Sequence, residues 1–266
     1  MISLTAASQA QAATITLNAG VPGTADPWLA GMPDGTISSR SPVRNRFSLA
    51  PRESAVLVPN LPLAAGNILT FGVTGSVNYK SVTPIDTPDG DRTVATHSAG
   101  DEHGISNISA PRNSLLGVFL DAQQPNLSPA PPALNFSTPD SRNYLQLAPL
   151  IKQVFFIGDG RTDRGVIQQI VVPEGASRFY LGAMDAFDWS DNAGIFDVAV
   201  TGTYEEVTNP PSPSPAPSPA GEIPPIDPEA VAVPEPATVI GSFLGFGILG
   251  AGARHKRKQK QKISEP

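Results

Sequence analysis

The chain has 266 residues and no cysteine, which excludes a disulfide framework, a thiol nucleophile and a cysteine-ligated metal. It carries 18 Lys and Arg against 24 Asp and Glu, for a formal charge of −6; outside residues 233–266 the balance is 12 basic against 22 acidic, which argues against nucleic acid as a partner. With 24 Gly and 29 Pro, the chain is rich in turns and poor in long helical patterns.

Leu4–Ala13 ends in Ala10-Gln11-Ala12, followed by the strand-like Thr14-Ile-Thr-Leu17. Residues 1–13 read as the end of a secretory signal peptide without its charged start and most of its apolar core. A flexible Ala-rich terminus is the alternative. Residues 14–208 read as one all-β domain, with short β runs between turn signals. The predicted strands are Thr14–Asn18, Ser54–Val58, Asn67–Val73, Leu115–Leu120, Gln153–Ile157, Ile167–Val172, Arg178–Leu181 and Ile195–Thr201. The last alternates, with Phe196, Val198 and Val200 on one face. Strands at this spacing predict a β-sandwich. Gly23–Pro51 and Gln123–Asp140 read as long loose loops.

The strongest local feature in the domain is Asp185-Ala-Phe-Asp188-Trp-Ser-Asp191-Asn192-Ala-Gly194. A strand ends near Gly182, a short loop presents three carboxylates and an amide, and the next strand starts at Gly194. Closely spaced hard oxygen donors suit Ca²⁺. Asp and Asn also serve as turn residues that bond their own backbone. Asp86-Thr-Pro-Asp89-Gly90-Asp91 could hold a second cation, although Asp89-Gly90 is more simply a turn, and Gly158–Asp163 reads the same way. His97 and His103 lack the spacing of zinc or hydrolase motifs. No Gly-x-Ser-x-Gly, P-loop or HExxH is present.

The 185–200 stretch resembles the C-terminal end of the bacterial calcium-dependent galactophilic lectin family (PA-IL type), a small jelly-roll sandwich. Asp185 falls on that family's first carboxylate, and Asp191 and Asn192 on its Asn-Asn pair. Gly194, Phe196 and Val198 fall on the Gly and strand that follow. Upstream, Ala65–Tyr79 matches the strand whose final Tyr gives its backbone carbonyl to the metal. Pro88–Asp91 and Asn113–Leu120 match two further segments in the same order. The resemblance implies a Ca²⁺ held by Tyr79, Asp185, Asp191, Asn192 and a group from Asp188 or Trp189. It implies carbohydrate contacts at Asp185, Asp191 and, for the family's sugar-contacting histidine, His97 or His103. The loop here is one residue shorter, and Asp191 stands where the family has Asn.

Residues 209–232 form a Pro-rich linker. Together with 233–236 its alternating prolines would reach roughly 85 Å in polyproline II. Then come Val233-Pro234-Glu235-Pro236, an uncharged apolar run over 237–253, and a basic block over 254–262 with six Lys and Arg. Seventeen helical residues reach roughly 25 Å, just enough to span a bilayer core, and basic clusters stay cytoplasmic. This tail resembles the PEP-CTERM sorting signal of bacterial surface proteins. The resemblance implies an exosortase as processing partner, an inner-membrane-anchored precursor, and export to the cell surface or an exopolysaccharide matrix. A plain membrane anchor is the alternative.

The combined expectation is an exported sandwich protein with non-catalytic, Ca²⁺-dependent binding of an extracellular polysaccharide or galactose-like glycan. A structural matrix protein that binds no sugar is the second reading. A hydrolase comes last, because no nucleophile–base pair is visible.

Overall fold

In the computed structural model, Leu69, Phe71, Val73 and Val77 are buried while the residues between them are more exposed. That period of two is what a half-buried strand requires. The same alternation places Phe196, Val198 and Val200 inside, as predicted. The structure describes residues 9–38, 47–80 and 83–208. The Pro-rich linker, the Pro-Glu-Pro motif, the apolar run and the basic tail lie outside the described residues. Among the described residues, no helix is long and apolar enough to cross a membrane.

The described strands in chain order are β1 (Gln9–Pro22), β2 (Ile37–Ser38), β3 (Ser48–Leu49), β4 (Val56–Leu57), β5 (Ile68–Asn78), β6 (Val94–Thr96) and β7 (Ile108–Pro111). They continue as β8 (Leu115–Leu120), β9 (Leu134–Asn135), β10 (Gln146–Leu147), β11 (Val154–Phe156), β12 (Gln169–Val171), β13 (Arg178–Ala183) and β14 (Ala193–Thr208). One sheet has the order β1-β14-β5-β12-β10 and is antiparallel except at β10–β12. The second has the order β11-β8-β13-β4 and is antiparallel throughout. Two small sheets, β2-β3 and β6-β7-β9, complete an all-β, sandwich-like fold.

The core lies between the two larger sheets. Phe71 of the first meets Phe179 of the second at 5.9 Å between ring centroids, and Phe119 and Phe155 extend the cluster. All six residues of β8 are buried, so its run of apolar side chains shows no alternation. Each of the eight predicted strands corresponds to an observed one; Leu115–Leu120 agrees at both ends and the others differ at one or both. The first begins earlier, since β1 pairs from Gln9 onward; residues 9–13 of the expected signal remnant therefore belong to the sheet.

Gly23–Pro51 is not loose where it is described. Asp26 accepts from the Trp28 N–H (2.9 Å) and caps a 3-10 turn over Pro27–Leu29, whose three residues are buried. Pro and Gly in this stretch give the composition of a loop, but the capped turn drives Trp28 inward. Gln123–Asp140 stays mostly irregular. The Lys152 ammonium donates to the Ser128 carbonyl (2.9 Å) and the Pro129 carbonyl (2.7 Å), and so ties the loop down.

Gly194, the second residue of β14, has φ +91°, and a Cβ there would stand 2.2 Å from the Ser76 carbonyl oxygen. Both conformation and space require glycine. Gly194→Ala is expected to destabilise the domain by about 2 kcal/mol or more. Gly72→Ala, in open space on the neighbouring strand, should shift stability by less than about 0.5 kcal/mol. Urea unfolding midpoints of the two variants would settle the contrast, and equal midpoints would refute it.

Candidate functional site

Three strand ends meet at one end of the sandwich. β5 finishes at Asn78, directly opposite Ala193 at the start of β14. Tyr79 follows where the chain bends out of the strand. β13, from the other sheet, ends at Ala183 and leads through Met184 to Asp185. The loop 184–192 therefore bridges the two sheets at the point where β5 terminates.

Trp189 pins this loop from below. Its ring is fully buried, its Nε1–H donates to the Ala183 carbonyl (2.7 Å), and its backbone N–H donates to the Ser48 hydroxyl (3.2 Å). Asp188 takes a left-handed conformation (φ 64°), and its carboxylate accepts from the Ser190 hydroxyl at 2.5 Å. A short 3-10 turn over Trp189–Asp191 follows, closed by the Asn192 N–H donating to the Trp189 carbonyl (3.1 Å). Trp189 thus lies under the loop, and Asp188 faces the cleft above it.

That cleft has a volume of about 680 Å³, and Tyr79, Asp185, Asp188 and Asp191 all line it. Asp185 is buried, and one of its carboxylate oxygens accepts from the Ala186 N–H (2.6 Å). Burial pushes its carboxyl up to about 7, with the Asp191 charge adding to the shift; the Ala186 N–H, the Asn192 side chain and Arg112 oppose it. The Asn192 Nδ2 donates to the Gly23 carbonyl (2.9 Å), while its Oδ1 is buried with no hydrogen-bond partner. An orphaned buried amide oxygen next to a desolvated carboxyl is an arrangement that a cation would satisfy. Among the described residues, no three His, Cys, Asp or Glu stand close enough to hold a metal. The expected donor set adds a backbone carbonyl and an amide to Asp185, Asp188 and Asp191, and these three do not form such a cluster by themselves.

The cleft also holds groups that the sequence did not signal. The Arg112 guanidinium sits 3.5 Å over the Tyr79 ring and grips Asp91 through Nε (3.0 Å) and Nη2 (2.6 Å). Lys80 lies 4.8 Å from the same ring. Phe187, at the tip of the loop, is 40 % exposed. No spacing rule links Arg112 to residues 185–192, which lie more than seventy positions away.

The acidic stretch 86–91 is committed to structure. Asp86 accepts from the Asn113 amide (2.7 Å), Asp89 accepts from the Asp159 N–H (3.0 Å), and Asp91 holds Arg112. The turn reading therefore describes it better than a second cation site.

His97 does not line the cleft. Its side chain is fully buried, stacked on Trp28 at 3.6 Å between centroids, with Nε2 2.8 Å from a Glu102 oxygen. Burial lowers its pKa, which keeps the ring neutral, although Glu102 opposes the shift. A direct sugar contact does not fit this position, because the imidazole supports the floor under the loop. His103 bonds the Ile37 carbonyl at 3.1 Å.

Comparison with family models, with curated proteins and with solved structures found no match.

Asp26, buried below the Trp28–His97 stack, titrates abnormally. Burial pushes its carboxyl from 3.8 up to about 7, against hydrogen bonds from Ser38, Trp28 and Ser48. In the unfolded chain the group ionises near pH 4. Its ionisation therefore opposes folding progressively as pH rises from about 4 to about 7, and fully above that. Asp26→Asn keeps an acceptor for Trp28 and removes the charge. In chelator-free, metal-free buffer the variant should gain on the wild type by up to roughly 4 kcal/mol between pH 4 and pH 8. Denaturant melts across that range would measure it; a constant difference would contradict the assignment.

Proposed function

We propose that this chain is an exported surface or matrix protein whose jelly-roll-like sandwich binds carbohydrate, without catalysis, through a Ca²⁺ ion. The observation that supports the reading is that Tyr79, Asp185, Asp188 and Asp191 line one cleft, while the Oδ1 of Asn192, whose side chain adjoins Asp185, has no hydrogen-bond partner. Tyr79 would give its carbonyl, Asp185 and Asp191 their carboxylates, and Asn192 its amide oxygen, with Asp188 completing the set. Bound Ca²⁺ would supply a hard Lewis-acid centre to which vicinal sugar hydroxyls can bind. The chain's own residues shape the cleft, and Trp189 fixes the loop that frames it.

The export half of the proposal rests on sequence: Val233-Pro234-Glu235-Pro236, the apolar run and the basic block stand in the order of a PEP-CTERM signal. An exosortase would then act on a membrane-anchored precursor. The alternative, a matrix component that binds no sugar, draws support from the lack of any three clustered His, Asp or Glu among the described residues.

Two outcomes are expected. Ca²⁺ at a hundredfold excess over Kd should stabilise the folded domain by about 2.7 kcal/mol, read as a rise in Tm. Asp185→Ala should abolish the rise, and a glycan array should lose its signal in chelator. A Tm indifferent to both Ca²⁺ and chelator would retire the site. Mass spectrometry of secreted protein should find a C-terminus near residues 232–237. Replacing Pro234, Glu235 and Pro236 by alanine should leave the membrane-bound precursor; normal processing of that variant would leave a plain anchor.

A further inference from the structure

The cleft is not uniformly acidic. Besides Asp185, Asp188 and Asp191 it carries two cations, Lys80 and Arg112, each within 5 Å of the Tyr79 ring. Asp91 fixes Arg112 through one carboxylate oxygen and leaves part of the guanidinium exposed. Lys80 is exposed, and among the described residues no carboxylate pairs with it. Apolar surface completes the cleft: Phe187 and Val94 line it and are about two-fifths exposed. A cleft of about 680 Å³ with an apolar platform and two ordered cations has the makings of a site for a flat, amphipathic anion.

We infer that the cleft selects an acidic pyranose, one carrying a carboxylate or a sulfate ester. The anionic group lies toward Lys80 and the exposed edge of Arg112, and the apolar face of the ring lies on Phe187. This rests on the calcium reading above, because bound Ca²⁺ adds positive charge beside Asp185, Asp188 and Asp191. Neutral galactose-like sugars use the same cleft without the Lys80 contribution. The chemistry of recognition is therefore split. The metal takes hydroxyls, and Lys80 with Arg112 takes charge. Because Lys80 is exposed, its contribution is modest and screened by salt.

The test is calorimetric titration of the calcium-loaded domain with three probes: galacturonate trisaccharide, sulfated galactose, and the neutral galactose trisaccharide. At low salt at least one acidic probe should bind tighter than the neutral one, by about fivefold or more. Which acidic probe wins distinguishes carboxylate from sulfate. Lys80→Gln, which removes an exposed side chain and leaves the Arg112–Asp91 pair intact, should erase about two- to fivefold of that preference. Added NaCl should do the same in the wild type. Phe187→Ala should weaken acidic and neutral probes alike. Equal or better binding of the neutral sugar, a preference untouched by Lys80→Gln, or binding of no probe would each overturn the inference. The Ca²⁺-dependent rise in Tm, measured without sugar, reports separately on the calcium reading. A failed selectivity with an intact Tm shift overturns this inference alone.

Discussion

The antiparallel ladder between β5 and β14 sets the position of everything at the working end of the molecule. It runs through eleven paired positions, from Ile68↔Thr203 to Asn78↔Ala193. Its register is dictated far from the cleft, by the burial of Leu69, Phe71 and Val73 on one strand and Phe196, Val198 and Val200 on the other. A slip of one residue would turn these side chains outward and lose the core. The same slip would carry Asn78 away from Ala193, where the two strands end beside the cleft. Core packing thus fixes the register up to Asn78 and Ala193, and Gly194 permits the close approach at the end where the strands part.

A second layer of order comes from below the loop. Trp189, Trp28 and His97 form a buried aromatic group, with Trp28 and Trp189 at 5.5 Å and His97 stacked on Trp28. Truncation of a buried tryptophan of this kind typically costs about 3–5 kcal/mol. Three carboxylates on a loop of nine residues would otherwise spread apart into solvent. The Trp189 ring and its two hydrogen bonds hold the loop down, and Asp26 and Ser48 connect it to the segment around residues 26–48.

Not every buried polar group is satisfied. Lys152 donates to the Pro129 carbonyl and Tyr144 to the Phe156 carbonyl at 2.6 Å, but among the described residues the Ser114 hydroxyl, the Gln168 Oε1 and the Asn192 Oδ1 are buried without a hydrogen-bond partner. Burial raises two carboxyls, Asp26 and Asp185, to about 7. Of these groups, Asp185 and Asn192 belong to the loop beside the cleft.

The β character of the domain, its eight main strands and the Asp185–Asn192 loop were legible in the residues alone. Alternation of apolar side chains and turn residues is a local signal, set by backbone sterics and burial of one face. Tyr79 was reached only through the resemblance to the lectin family, since the strand pattern read from the residues ended at Val73. Sequence could not place His97, which lies near acidic neighbours in the chain yet turns inward to stack on Trp28. Nor could it find Arg112 and Lys80 as partners across one ring, or Trp28 as core within a stretch that looked like loop. These depend on which strand ends come together, and that is decided by the packing of two sheets over long sequence separations. Local pattern determined what each segment is; only the sheet register and the shared core decided which side chains meet.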